Sequence, residues 1–320
     1  MICLLTQPKI WSRYATKYRG ELMGKILVTA AAGGHGSVGP QLVHELLARS
    51  HQVRAMVRKE DERCTALRSA GAEVVVGDFL SLASMRKAMS GIERAFFCYP
   101  LMAGLVQATT IFCVAAKEAN VMRVVNASLM LAGPDHPSPI CTEHWLSERI
   151  FDWADLGVVH LRGGFFYENV LRFAAEGIAK DDRLYFPFGD GEARVAWVSG
   201  RDMAASAHGA LFGEFKPGET INVTDVAPLS IKEVALAIGE NLQRPVAYQA
   251  VECPDFVARI DAQLGDNSYL RRHIAVLAMA MTSGRVIGKA SDAVRQLAGR
   301  QPAGIAQFVA DYRNMLSPQD

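Results

Sequence analysis

Residues 25–39 read Lys25-Ile26-Leu27-Val28-Thr29-Ala30-Ala31-Ala32-Gly33-Gly34-His35-Gly36-Ser37-Val38-Gly39. A short aliphatic, β-branched run feeds into glycines, and a helical pattern follows over residues 40–49. Gly33, Gly36 and Gly39 stand at a G-x-x-G-x-x-G spacing. A strand, a tight glycine turn and a helix N-terminus together make a diphosphate site. Backbone N–H groups and the positive helix end point at the anion, and glycines let the backbone approach it. The same turn also serves as a plain strand-to-helix connection. The strand that follows at 52–57 supplies the context in which the glycines carry meaning.

That second strand ends at Arg58. An acidic residue binding a ribose 2′-hydroxyl is expected about 20 residues after the glycines. Arg58 stands near that distance and is basic, so it suits a 2′-phosphate and favours NADP(H) over NAD(H). Lys59 beside it suits the same phosphate; a solvated surface arginine is the plainer alternative. Further strands read at 73–76, 94–98 and 121–127, with helices at 60–70, 81–89 and 105–119 between them. Such alternation predicts an α/β fold with a doubly wound parallel sheet. Ligands in such sheets sit beyond the carboxyl ends of the strands. Gly33, Arg58, Asp78, Pro100 and Ser128 all read as strand ends. Asp78 is either an acceptor for an adenine amino group or a cap for the helix that begins at 81. Ser128 either hydrogen-bonds a ligand or ends its strand.

Bulk properties exclude several classes. The 320 residues can bury a sizeable core, half of them are hydrophobic, and the formal net charge is +1. Nothing marks a grip on nucleic acid or anionic lipid. The 6 cysteines are scattered without a C-x-x-C pair, as in a reduced, cytoplasmic protein. There is no H-E-x-x-H, no metal-ligand cluster and no G-x-S-x-G. The apolar run at 274–281 is too short to span a bilayer. Near the start, Lys9, Arg13, Lys17 and Arg19 follow the brief Ile-Cys-Leu-Leu run, the reverse of a secretory leader. Residues 1–22 are expected to be an N-terminal extension with little order.

Later in the chain, helices are expected at 142–156, 201–211, 230–242, 255–281 and 305–315. Strands are expected at 158–161, 195–198, 221–223 and 246–251, with an aromatic loop at 185–191. Two stretches stand out: Leu161-Arg162-Gly163-Gly164-Phe165-Phe166-Tyr167-Glu168-Asn169 and Gly299-Arg300-Gln301-Pro302. Together with the glycine triplet, Val57-Arg58 and Gly77-Asp78-Phe79, they resemble the NmrA-like family of atypical short-chain dehydrogenase/reductases over residues 24–315. The resemblance implies a Rossmann-type domain at 23–165 and a smaller C-terminal α/β substrate lobe at 166–320, some strands of which rejoin the main sheet. It also implies NADP(H) binding. The family includes quinone, azo-dye and other small-molecule reductases, and dinucleotide-binding regulators that catalyse nothing. Two departures stand out. Ala30-Ala31-Ala32 precede Gly33 where the family has Gly-Ala-Thr-Gly-x-x-Gly directly after the strand, so the turn reads as three residues longer. The family's Leu-Arg-Pro is Leu161-Arg162-Gly163 here.

Candidate cofactor contacts are Gly33, His35, Gly36, Ser37, Val38 and Gly39 in the turn and Arg58 and Lys59 at the adenosine end. Beyond these come Asp78, Phe79, Tyr99, Pro100, Ser128, Gly164, Phe165 and Phe166. The usual Tyr-x-x-x-Lys pair of short-chain reductases is missing after Ser128. His144 and Glu148, four apart on one helix face, stand in its place. They read as a proton donor with an orienting carboxylate, or as an ordinary i,i+4 pair. His144, Ser128 and Tyr167 are the candidate catalytic residues. Phe165, Phe166 and Tyr167 read as an aromatic wall for a flat substrate, or as core. Hydride transfer to an electron-poor acceptor needs no strong acid, because the cofactor supplies the chemistry. The expected activity is therefore NADP(H)-dependent reduction of a small conjugated, aromatic or quinone-like molecule. The alternative is a non-catalytic NAD(P) sensor that binds a protein partner. A homodimer is the association considered for such a chain.

Overall fold

The computed structural model describes residues 24–34, 37–283 and 287–318. The expected extension at 1–22 lies outside them, as do His35 and Gly36.

The first half alternates strand and helix: β1 (Lys25–Val28), α1 (Val38–Ala48), β2 (Val53–Val57), α2 (Glu62–Ser69), β3 (Glu73–Val76), α3 (Leu82–Met89), β4 (Ile92–Phe97), α4 (Leu105–Glu118), β5 (Arg123–Leu129), α5 (Pro139–Ala154) and β6 (Val159–Gly163). Two elements from the second half join this body: α7 (Gly200–Phe212) and β7 (Glu219–Val223), with α6 (Glu168–Asp181) preceding them. The sheet order is β7-β6-β5-β4-β1-β2-β3, and every pairing is parallel. It is a doubly wound Rossmann-type sheet, with the reversal of strand order at β1 and β4. The inner strands are covered on both faces, so β2, whose sequence reads as alternating, is buried along its whole length. One face packs Leu42, Val43 and Leu46 of α1 against Met203, Ala207 and Leu211 of α7. The other packs Met85, Phe112 and Phe151 of α3, α4 and α5.

The second lobe has its own core. Tyr167, Trp197, Phe186, Ile231, Phe256 and Phe308 are buried together there. Short strand pairs tie it: Phe165–Phe166 with Trp197–Val198, and Arg183–Phe186 with Ala247–Ala250. Its best-defined helix is α8 (Ile231–Leu242), started by a reciprocal Ser230–Glu233 capping box. The helix expected over 255–281 is three: Cys253–Arg259, Asp261–Leu264 and Ser268–Thr282. Gly265 takes φ +54 between the second and third. Asn267 then caps the third helix by accepting from the Leu270 N–H at 2.9 Å, and its Nδ2 donates to the Leu101 carbonyl at 2.8 Å. Gly265-Asp266-Asn267-Ser268 marks the break in the sequence as a cluster of turn residues between apolar stretches. Part of the aromatic loop expected at 185–191 is strand, because Arg183–Phe186 pairs with Ala247–Ala250.

Candidate active site

The glycine turn lies where the sheet order reverses. The wholly buried Thr29 hydroxyl accepts from the Cys98 N–H at 2.8 Å and faces the Phe96 and Cys98 carbonyls at 3.1 Å. It pins the ends of β1 and β4 together. Ala30 follows with φ +51, in the left-handed region. β1 stops at Val28, so Ala30 takes the place of the first glycine in Gly-Ala-Thr-Gly-x-x-Gly. The glycine that packs on the Ala30 carbonyl in the first turn of α1 is Gly39, nine residues on where the family pattern has six, so the turn is three residues longer and its extra length follows Gly33 rather than preceding it. Glycine is obligatory nearby: a Cβ on Gly39 would collide with the Ala30 carbonyl, and one on Gly33 with the Ser37 side chain.

The start of α1 has the features a diphosphate requires. No side chain caps it, and no acidic residue stands in its first turn. The Ser37 hydroxyl is buried without a partner among the described residues. Val38 is buried behind the turn. An uncapped helix N-terminus with a free hydroxyl beside it fits an anion.

At the end of β2, Arg58 and Lys59 are exposed, and Arg58 enters no hydrogen bond or ion pair among the described residues. Sequence reading passed over Arg63. Its Nη1 donates to the Ala32 carbonyl at 2.6 Å while Asp61 holds its other edge. Nothing in linear spacing brings residue 63 to residue 32; only the Asp61 cap of α2 marks that turn as ordered. Asp78 is exposed, and its Oδ1 accepts from the Leu80 N–H at 2.9 Å. Ser81, not Asp78, caps α3 by accepting from the Ser84 N–H. Phe79 and Tyr99 meet edge to face at 5.2 Å, and Pro100 beyond them is exposed. The Tyr99 hydroxyl donates to the Ala103 carbonyl at 2.9 Å.

At the ends of β5 and β6, Ser128 stands in register with Arg162. Both bind Glu148 of α5, whose side chain is wholly buried. Ser128 Oγ donates to Glu148 Oε1 at 2.6 Å. Arg162 Nε donates to Oε1 at 2.8 Å and Nη2 to Oε2 at 2.6 Å. Burial alone would raise the Glu148 pKa, but the Arg162 guanidinium and the Ser128 hydroxyl hold it below the usual carboxylate range. Among the described residues Glu148 is hydrogen-bonded to Ser128 and Arg162, with Arg149 as a further ion-pair partner, and it does not orient His144 by a hydrogen bond. His144 is 5% exposed with its Nδ1 unpartnered, and burial pushes its pKa down to about 4. It is a neutral ring at neutral pH.

Tyr167 does not reach this edge. Its ring is fully buried, stacked on Trp197 at 5.2 Å, and its hydroxyl donates to Asp225 Oδ2 at 2.9 Å. Burial, and then Asp225, raise its pKa far above the usual tyrosine value. It belongs to the core of the second lobe and leaves the candidate catalytic set. Phe165 likewise packs edge-on against Trp197 and Phe188. A Cβ on Gly164 would collide with the Ala196 carbonyl, so that glycine serves strand approach. A cavity of about 240 Å³ lined by Phe151, Asp152, Asp155 and Gly218 lies at the amino ends of β6 and β7. That is the opposite edge from the glycine turn, and loops at carboxyl ends are where such sheets bind ligands.

A model of NAD(P)H-binding domains matches residues 33–160. An NAD(P)H azoreductase from Xenophilus azovorans is 31% identical over 221 residues, 68% of this chain and 75% of that protein. The chain belongs to the NmrA-like family of atypical short-chain dehydrogenase/reductases. Two solved structures share its fold. An NADPH-dependent quinone oxidoreductase from Escherichia coli, complexed with NADPH, aligns with TM-score 0.75 at 22% identity, covering 90% of this chain and 100% of that one. A mutant NmrA aligns with TM-score 0.75 at 17% identity, covering 93% and 97%. This NmrA-like chain is an NAD(P)H-dependent reductase. Its departure at Gly163 has a steric reason: a Cβ there would meet the Phe166 ring at 2.9 Å. Where the family carries proline, this member lays an aromatic ring over bare backbone.

Proposed function

We propose that this reductase transfers hydride from NADPH to a small conjugated, aromatic or quinone-like acceptor. The observation that carries the reading is the lack, among the described residues at the carboxyl edge, of a group poised to give up a proton. His144 is neutral, Glu148 is ionised, and the Tyr167 hydroxyl is committed to Asp225. Reduction of a plain ketone draws on a positioned acid. An acceptor that spreads the incoming charge over a conjugated frame takes its proton from water. The names of an azoreductase and a quinone oxidoreductase among the similar proteins support the same class.

When bound, the nicotinamide cofactor supplies the hydride. The chain's own part is to bind, orient and exclude water. The open N-terminus of α1, with Ser37 and Gly33, would hold the diphosphate. Arg58 would take the 2′-phosphate, with Lys59 and Arg63 adding positive charge. Asp78, Phe79, Tyr99 and Pro100 would border the adenine side, and Ser128, His144 and Phe166 the nicotinamide side.

Two measurements test this. Purified protein, NADPH and a panel of quinones should give loss of NADPH absorbance. Absence of turnover on every quinone, with NADPH still bound, would favour the non-catalytic sensor. For the cofactor, Arg58→Asp should shift the NADPH/NADH affinity ratio toward NADH by roughly tenfold or more, the worth of a charge-assisted contact. An unchanged ratio removes Arg58 from the phosphate site.

A further inference from the structure

We propose that Glu148 and Arg162 fix the polarity of Ser128, so that the serine shows the cleft lone pairs and no proton. The site then selects a ligand that donates an O–H or N–H at that point and disfavours a bare carbonyl oxygen there, so a quinone-like acceptor keeps its charge-gathering oxygen away from Ser128. The inference rests on the reading above that the carboxyl edge of β5 and β6 receives the hydride acceptor.

The polarity of the serine follows from a hydrogen count. Glu148 is wholly buried and carries two close donors from Arg162, with Nη2 of Arg149 a further 3.6 Å from its Oε2. A carboxylate so surrounded by guanidinium N–H groups is ionised and has no hydrogen to give. Ser128 Oγ lies 2.6 Å from Oε1. Two oxygens hold that separation only with a proton between them, and Ser128 is the sole source. Turning the hydroxyl outward would leave lone pairs facing each other beside a buried charge. That state is disfavoured by roughly tenfold to a hundredfold.

The consequence is chemical. A serine at a carbonyl-reducing site donates to the oxygen on which charge builds. Here the proton is already spoken for, and the anion behind it opposes charge building on an adjacent oxygen. Ser128 accepts instead. Glu148 and Arg162 are positioning residues: they touch no ligand and act through the serine. The pattern is silent in the sequence, because the three residues lie twenty and fourteen positions apart on two strands and a helix.

The test compares ligands that differ in one hydrogen. Dissociation constants of 2-naphthol, 2-methoxynaphthalene and 2-naphthaldehyde are measured by calorimetry on NADP⁺-saturated protein, which requires no turnover. The expected result is naphthol at least about tenfold tighter than either partner. Ser128→Ala, which keeps the fold, should bring the naphthol-to-ether ratio to near one. Single loss of Glu148 would strand Arg162, so Glu148→Leu is paired with Arg162→Met, an apolar replacement of similar volume. In that double variant the released serine proton should tighten naphthaldehyde relative to naphthol about tenfold. Equal constants in the unaltered protein, including no binding of any of the three, overturn the proposal. So does a preference that survives Ser128→Ala. Quinone turnover on the same preparations separates the two readings. Turnover without discrimination sinks the serine assignment alone; discrimination without turnover sinks the quinone reading alone.

Discussion

Ala30 shows what a single position can carry. A left-handed conformation costs a residue with a Cβ about 1–2 kcal/mol, and glycine returns part of that gain as lost chain entropy. Ala30→Gly should therefore stabilise the protein by about 1 kcal/mol, read as a higher urea midpoint at unchanged slope. A lower midpoint would mean that the backbone at φ +51 is not strained. The sequence displayed the lengthened glycine turn but not this detail, because a run of three alanines does not tell which of them takes a left-handed backbone. Other residue roles were hidden for a different reason. Tyr167 sits one residue beyond Phe166, yet its ring goes to Trp197 and Asp225 rather than to the cleft. Adjacent side chains near a strand end diverge, so a run of three aromatics cannot form one wall.

The elements were more legible than their ends. The inner strands of the central sheet announced themselves as largely apolar runs between helical patterns, because burial on both faces favours that composition, while the edge strands β3 and β7 are half exposed. The stretch after Asp255 was read as one helix although Gly265-Asp266-Asn267-Ser268, a cluster of turn residues, stands in its middle where the chain breaks. The Gly-Arg-x-Pro element has a clear mechanical role. Asp202, 2% exposed in the first turn of α7, accepts from Arg300 Nη1 at 2.6 Å and from the Ala303 N–H at 2.9 Å. It also accepts from the Ser199 hydroxyl at 2.8 Å. One carboxylate thus fastens the C-terminal segment to the main body. Asp202→Ala should cost about 2 kcal/mol, by removing the buried acceptor of the Ala303 N–H and of a half-exposed ion pair. Limited proteolysis should then cut near residues 299–303 far faster than in the unaltered protein. Equal cutting rates would show that the segment is held by its apolar contacts instead.

At the scale of the whole molecule, the two lobes meet over Glu168. Its Oε1 accepts from the Gly200 N–H at 2.8 Å at the start of α7, while its Oε2 is buried without a partner among the described residues. Burial lifts its pKa to about 7, with Asp202 and Asp311 adding to the rise and the Gly200 bond opposing it. A carboxyl raised in the folded state binds its proton more tightly there than in the unfolded chain. Its stabilising contribution is full below the unfolded value of about 4.5 and is lost as pH rises through about 7. The difference is on the order of 3 kcal/mol. Glu168→Gln should match the unaltered protein near pH 5 and melt higher than it at pH 8; parallel curves across that range would rule the effect out. The separate cores on either side have an outcome for protein engineering. The second lobe buries its apolar side chains among themselves, so it is a candidate for exchange between relatives as a substrate-reading cassette. Yet α7 and β7 interrupt it to complete the main sheet. A transplant with one junction would tear out an edge strand. A workable chimera must carry two separate segments, one on each side of residues 199–223, and leave the stretch between them at home.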